Sequence, residues 1–224
     1  MCGGYRLGSD LDSIAAHFSA AGEQLQLPGS GEVFPGGRAP LIALRRRDGR
    51  PERRIGVARW GLPMAGVAAD LSSTSPVKSG QGETGRLLHN ARLETLHLRP
   101  SFRESLQRRR CLVPVCHFFE WSGERGARRR WRVAAADGRP MALAGLWCPS
   151  EEGLEGAGVR FTIVTTESCG ALASLHHRMP LWLRDERALA RWLSGPPTQP
   201  GRWSESGGAG EQVQDLRIEE DAGV

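Results

Sequence analysis

Five short apolar segments follow one another between residues 111 and 183, and they constrain the fold more than anything else in the chain. The runs 111–121, 129–136, 141–148, 159–166 and 179–183 have strand length, with turn-forming residues between them. Asp137-Gly138 reads as the turn of a hairpin joining two of them. Strands in such quick succession predict a mainly antiparallel sheet. Helical signals lie outside this stretch. Leu11, Ile14, Ala15, Phe18 and Leu25 recur at helical spacing behind a capping box at Ser9 to Asp12. Further helices are expected to begin at Asn90–Thr95, behind a second capping box at Ser101 and Glu104, and over 185–193 with Gly195 as C-cap. The apolar run 40–44 leads through a charged turn at 46–54 into a strand at 55–60. The whole reads as one α+β domain built on an antiparallel sheet.

That domain is expected to span residues 1–194. Within it, 65–86 is rich in Ser, Gly and Thr and reads as a long surface loop, and 195–224 reads as a weakly ordered tail. A chain of 224 residues can bury a full core. No stretch approaches the roughly 20 apolar residues of a membrane span. The first ten residues lack a signal peptide's apolar region, so a cytoplasmic protein is expected.

Five scattered cysteines, an odd number, argue for reduced thiols. Cys111 and Cys116, with His117 adjacent, are not expected to hold zinc, because a five-residue offset along one strand puts the thiols on opposite faces. No metal and no cofactor are expected.

The net charge is +5, and of the 30 basic residues Lys78 alone is lysine. Arginine triplets stand at 45–47, 108–110 and 128–130. They suit bidentate phosphate binding, and equally a solvated face in an arginine-biased sequence. The lysine shortage matters chemically. A reaction that needs a neutral amine has two candidates, Lys78 and the α-amine. The α-amine titrates near about 7.7–8.0, against about 10.4 for lysine.

The chain begins Met1-Cys2-Gly3. Removal of Met1 would leave Cys2 with an amine and a thiol on adjacent carbons, although a small second residue also serves processing alone. Three other positions pair a polar group with surroundings that would perturb it. Glu120, in Phe118-Phe119-Glu120-Trp121, is a desolvated proton carrier or an edge-strand partner of an arginine. His176, in Leu175-His176-His177-Arg178, is a proton shuttle or a structural histidine. Asn90 caps a helix or holds an oxygen or amine, and Arg92 two residues on could contact a phosphate.

Taken in order, Met1-Cys2-Gly3, Asn90-Ala91-Arg92-x-Glu94-Thr95, Phe119-Glu120-Trp121 and His176-x-Arg178-Met179-Pro180 resemble the SOS response-associated peptidase (SRAP) family of abasic-site processing proteins. Trp60-Gly61-Leu62 and Thr162–Thr166 are similar to family segments as well. The resemblance covers roughly residues 2–183. It implies a twisted, β-barrel-like core with flanking helices that binds single-stranded DNA, with monomeric protein associated with the nucleoid when on DNA. It implies that Cys2, freed of Met1 by self-removal, captures the aldehyde of a ring-opened abasic site as a thiazolidine DNA–protein crosslink. A weak lyase activity accompanies this in the family. By the same resemblance Asn90 positions the opened sugar or the terminus, Glu120 and His176 move protons, and Arg6, Arg92, Trp60 and Arg178 contact DNA.

The chain departs from the family pattern at Gly4, where arginine is usual, and at Glu32, where asparagine is usual. Residues 62–70 lack the family's aromatics, and the tail lacks its closing segment. These departures predict chemistry better preserved than DNA affinity. Two other readings start from the same residues. Glutamine amidotransferases also begin Met-Cys-Gly, with the α-amine as base and the thiol as nucleophile. A basic nucleic-acid-binding module would need no chemistry at Cys2.

Overall fold

The computed structural model describes residues 2–8, 10–22, 31–63, 87–124, 126–149, 158–196 and 215–221. The expected loop 65–86, Ser9 and Leu25 lie outside the described residues. One sheet contains β1 (Tyr5–Arg6), β2 (Glu32–Val33), β7 (His117–Ser122), β8 (Arg129–Ala135) and β13 (Leu216–Glu220), in the order β13-β8-β7-β1-β2. The larger sheet contains β3 (Arg38–Arg47), β4 (Arg50–Trp60), β5 (Asn90–Arg92), β6 (Arg110–Val115), β9 (Met141–Pro149), β10 (Val159–Glu167), β11 (Arg178–Pro180) and β12 (Trp182–Leu183). The helices are α1 (Leu11–His17), α2 (Pro100–Arg108), α3 (Gly170–Ala173) and α4 (Glu186–Ser194), and a single 3-10 turn, Leu93–Thr95, follows β5. The class is α+β, as the sequence predicts. Pairing is antiparallel except where β10 meets β4 and β5.

In the larger sheet β4 pairs β3, β3 pairs β6, β6 pairs β9, β9 pairs β10, and β10 returns to β4. Period-two alternation then sends side chains to two cores. Leu41, Ala43, Cys111, Val113, Trp60, Phe161 and Ile163 pack inward with Tyr5, Phe118 and Val133 of the smaller sheet. Ile42, Leu112, Ala144, Leu146 and Val164 face outward and are covered by Ile14 and Phe18 of α1 and its C-cap, Phe102 and Leu106 of α2, and Leu189 and Trp192 of α4. All six residues of β6 are buried because both of its faces are covered, which is why the strand reads as a continuous apolar run after Arg110.

Several sequence expectations are corrected. The run 111–121 is two strands in different sheets, broken at Cys116, whose backbone N–H donates to Arg6 O at 2.8 Å. Apolar periodicity continues through the break and cannot register a change of sheet. Asp137-Gly138 does not close a hairpin: β8 before it and β9 after it belong to different sheets. The charged segment 46–54 is mostly strand, and the hairpin turn is Asp48-Gly49, with φ of 50° and 77° and Arg47 opposite Arg50. These positive φ values match a two-residue hairpin turn, for which glycine pays no steric cost.

Asn90 begins β5 rather than a helix, because Asn90–Arg92 pairs with Ile163–Thr165. Helix α1 is capped by Asp10, which accepts from Ser13 N at 2.8 Å, and α2 starts at Pro100, one residue ahead of the expected box. Helix α4 lies where predicted, between Asp185 and Gly195. Within the segment read as tail, Leu216–Glu220 pairs with Trp131–Ala135. No helix among the described residues is long and apolar enough to cross a membrane.

Candidate active site

The amino-terminal segment is held against β7. Tyr5 pairs with Phe118, and Phe119 N–H donates to Gly4 O at 2.8 Å. Antiparallel register therefore runs Gly3 and Cys2 toward the Glu120–Trp121 end of that strand. Cys2 is fully buried among Tyr5, Trp60, Phe118 and Leu172, and its thiol donates to Gly4 O at 3.6 Å. Burial pushes the thiol well above its ordinary range, and the charge of Glu120 adds to the shift. The sulfur is a protonated thiol at neutral pH.

Three elements bring polar groups to this buried cysteine. From β5, Asn90 Nδ2 donates to the Cys2 carbonyl at 2.9 Å. Asn90 Oδ1 is buried and accepts no hydrogen bond among the described residues. From β7, Glu120 is 1% exposed, and burial raises its carboxyl from the ordinary 4.5 to about 7 against the opposing charge of the amino terminus. From the turn after α3, His176 accepts at Nδ1 from the Arg178 backbone N–H at 2.9 Å. The same Nδ1 lies 3.2 Å from Arg178 O, so the backbone of Arg178 orients the ring in either tautomer. Burial lowers the pKa of His176, and the positive amino terminus lowers it further. The positive charge of the amino terminus acts on Cys2, Glu120 and His176 alike.

The residues expected to meet DNA are placed less uniformly. Arg92 is exposed on β5. Arg6 is half-exposed and lies 3.8 Å from Glu32. Trp60 is not a surface group: it is fully buried, its indole N–H donates to His89 O at 2.7 Å, and its ring centroid lies 5.2 Å from that of Tyr5. Arg178 is also internal. Its guanidinium forms two 2.9 Å bonds to Glu94 and a 2.6 Å bond to Thr165 O.

Two departures from the family pattern acquire a structural account. Glu32 lies between two guanidiniums, 3.8 Å from Arg6 and 3.6 Å from Arg130. At Gly4 a Cβ would lie 2.7 Å from Phe34 Cε1 and 3.2 Å from Phe119 Cδ2, so Phe34 occupies the space a larger residue would need. Phe34 is itself 44% exposed.

The arginine triplets part company. Arg45, Arg46 and Arg47 stand exposed at the β3–β4 tip. Arg109 pairs with Glu104 at 2.9 Å, and buried Arg110 donates to Leu106 O and Gly195 O. In the third triplet Arg129 pairs with Glu220 at 3.6 Å and Arg130 with Asp221 at 2.6 Å, and beyond it Arg132 lies 3.6 Å from Asp221. The sequence reading missed Tyr5, Phe34 and Glu94. Tyr5 carried a signal as the single tyrosine, and Glu94 stood inside a quoted motif.

A profile of the family described as SOS response associated peptidase (SRAP) matches residues 1–215. Abasic site processing protein YoqW of Bacillus subtilis is 30% identical over 204 residues, covering 89% of this chain and 83% of that protein. Abasic site processing protein HMCES of Pongo abelii is 30% identical over 172 residues, covering 63% of this chain and 46% of that protein. A crystal structure of a protein from Bacteroides thetaiotaomicron superposes with a TM-score of 0.73 at 22% identity, covering 98% of this chain and 91% of the other. That likeness is one of fold.

Proposed function

The chain belongs to the SOS response associated peptidase family, and we propose that it processes abasic sites in single-stranded DNA through a covalent crosslink at Cys2. The observation that carries this reading is the contact of Asn90 Nδ2 with the Cys2 carbonyl at 2.9 Å, beside a carboxyl raised to about 7. The names of the relatives, abasic site processing proteins, point to the same lesion. The circuit of strand pairing in the larger sheet serves as the barrel-like core, and the protein works as a monomer in the cytoplasm, on the nucleoid when bound.

Hydrolysis of the Met1–Cys2 peptide bond consumes one water and frees the amine, a step the chain performs on itself. The amine of Cys2 attacks C1′ of the ring-opened sugar and forms a C–N bond. Protonated Glu120 gives its proton to the departing hydroxyl, and water leaves as the imine forms. The thiol then adds to the same carbon, closing a five-membered ring. Its proton is taken up by the Glu120 carboxylate, which restores the carboxyl, while the nitrogen keeps the proton it carried as an iminium. The sum is aldehyde plus aminothiol giving thiazolidine plus water.

A thiol held protonated by burial suits this order, since the amine reacts first and the sulfur second. His176 faces the sugar oxygen and serves reversal. Arg92 and Arg6 hold phosphate. Elimination at the imine stage accounts for a weak lyase activity.

The test is incubation with single-stranded DNA carrying one abasic site, followed by a denaturing gel. A shifted band is expected, lost in Cys2→Ala and in protein retaining an uncleaved amino-terminal extension. A band that survives Cys2→Ala and disappears in Lys78→Arg overturns the mechanism. Glutaminase activity without a crosslink would point to the amidotransferase reading, and reversible binding alone to a binding module.

A further inference from the structure

We infer that the cavity between the β3–β4 hairpin and Trp147 holds one nucleotide of single-stranded DNA, with its base against the indole and its flanking phosphates on the hairpin arginines. The inference rests on the DNA reading proposed above and adds a second contact, away from Cys2. The cavity has a volume of about 320 Å3, within the range of small-ligand pockets, and Leu41, Ala43, Trp147 and Val159 give it an apolar wall. It lies at the end of the inner core remote from Asn90. Val159 starts β10, and Ile163, which stands opposite Asn90, follows four residues later, roughly 13 Å on at the rise of a strand.

Cross-strand partners share a face, so Leu41 with Gly56, Ala43 with Arg54, Arg45 with Glu52 and Arg47 with Arg50 line up on one side of the hairpin. From the cavity outward that side passes from apolar to basic. Among the described residues Glu52 is its single acid, 3.8 Å from Arg54, and Arg45, Arg47 and Arg50 form no ion pair. Like charges directly opposite, as Arg47 and Arg50 are, destabilise a hairpin until an anion meets them. Guanidinium binds phosphate as a fork, and the partly buried indole of Trp147 offers a base its stacking face. Several arginines on the rim suit a strand, with a phosphate on each side of the base, better than a free mononucleotide with one. Gly56 leaves the space: a Cβ there would meet no atom within 4 Å beyond its chain neighbours.

The experiment measures binding of the full chain to an intact oligothymidylate across salt, by fluorescence anisotropy, with dTMP as competitor. Wild type is compared with Gly56→Leu and with Arg45→Gln/Arg47→Gln/Arg50→Gln. Gly56→Leu fills the cavity with an apolar side chain and changes no charge. It should weaken binding roughly five- to 150-fold, the loss of one stacked base, and leave the salt slope as it was. The triple arginine variant should flatten the log–log salt slope by about 0.7 for each arginine that held a phosphate. Its three side chains are exposed, so it decides the outcome should Gly56→Leu melt early. The mononucleotide dTMP should displace the strand only at far higher concentration, because it brings one phosphate.

Unchanged affinity in a folded Gly56→Leu, or an unchanged salt slope in the arginine variant, overturns the inference. So does dTMP that competes as well as the strand itself, which would make this a site for a free nucleotide. Affinity that rises in Glu151→Gln/Glu152→Gln while Gly56→Leu binds normally would assign the arginines to the chain's own acids, and overturns it too. Crosslinking to abasic DNA is scored separately. Wild type that binds through this cavity but forms no crosslink ends the proposed function and leaves this site standing. A crosslink with no contribution from the cavity does the reverse.

Discussion

Asn90 and Cys2, eighty-eight residues apart in sequence, are joined by a 2.9 Å hydrogen bond from the Asn90 side-chain amide to the Cys2 carbonyl. The bond fixes the Cys2–Gly3 peptide, and it leaves Asn90 Oδ1 buried with no hydrogen bond among the described residues. Removing it in Asn90→Ala should cost the approximately 0.5–1.5 kcal/mol net of such a bond. Single-turnover crosslinking would then slow by about two- to tenfold. Asn90→Asp keeps the shape but loses the donor, and it should be at least as slow. An Asn90→Asp rate equal to wild type would assign Asn90 a packing role only.

Glu120 makes stability depend on pH. Its folded pKa, about 7, lies above the ordinary 4.5, so the unfolded chain releases this proton more readily than the folded protein. Stability is therefore full below about pH 4.5 and is lost as pH rises through about 7. The loss is on the order of 3 kcal/mol. Glu120→Gln cannot ionise, so it should be more stable than wild type near pH 8 and converge with it near pH 4. Urea denaturation at the two pH values measures the difference, and parallel curves would contradict the raised pKa.

Gly4→Arg restores the residue usual in the family but meets Phe34 at 2.7 Å from its Cβ. Overpacking of this kind costs about 1–3 kcal/mol. The melting temperature of Gly4→Arg should fall, and Phe34→Ala in the same chain should recover most of the loss. Equal melting temperatures for Gly4→Arg and wild type would mean that Phe34 moves aside freely.

Glu220 and Asp221 neutralise arginines on one face of the smaller sheet. Replacing them in Glu220→Gln and Asp221→Asn releases Arg129 and Arg132, whereas Arg130 keeps Glu32 at 3.6 Å. Binding to intact single-stranded DNA should tighten, and its log–log salt slope should steepen by about 0.7 for each arginine that gains a phosphate. An unchanged slope would place this face away from the DNA path.

Much of the architecture was legible because β-strands advertise themselves locally. The segments 129–136, 141–148 and 159–166 were read almost to the residue, as was α4 between its caps. The errors came where one local signal fits two folds. Asp-Gly occurs at both 48–49 and 137–138, yet only the first joins two paired strands. The difference lies in whether the flanking strands find each other or other partners. The strand Leu216–Glu220 was hidden because its few apolar residues are covered by a distant strand, β8.

By itself, the sequence determined the strand-rich α+β class and the order of the candidate site residues, because side-chain alternation and residue type are local properties. Tertiary structure decided what those groups can do. Burial turned Glu120 into a carboxyl of pKa about 7 and kept the Cys2 thiol protonated. The inward parity of Trp60 removed it from the surface, and Arg178 is paired with Glu94, eighty-four residues away. Desolvation and ion pairing depend on which residues meet across the fold, and no window along the chain contains both partners.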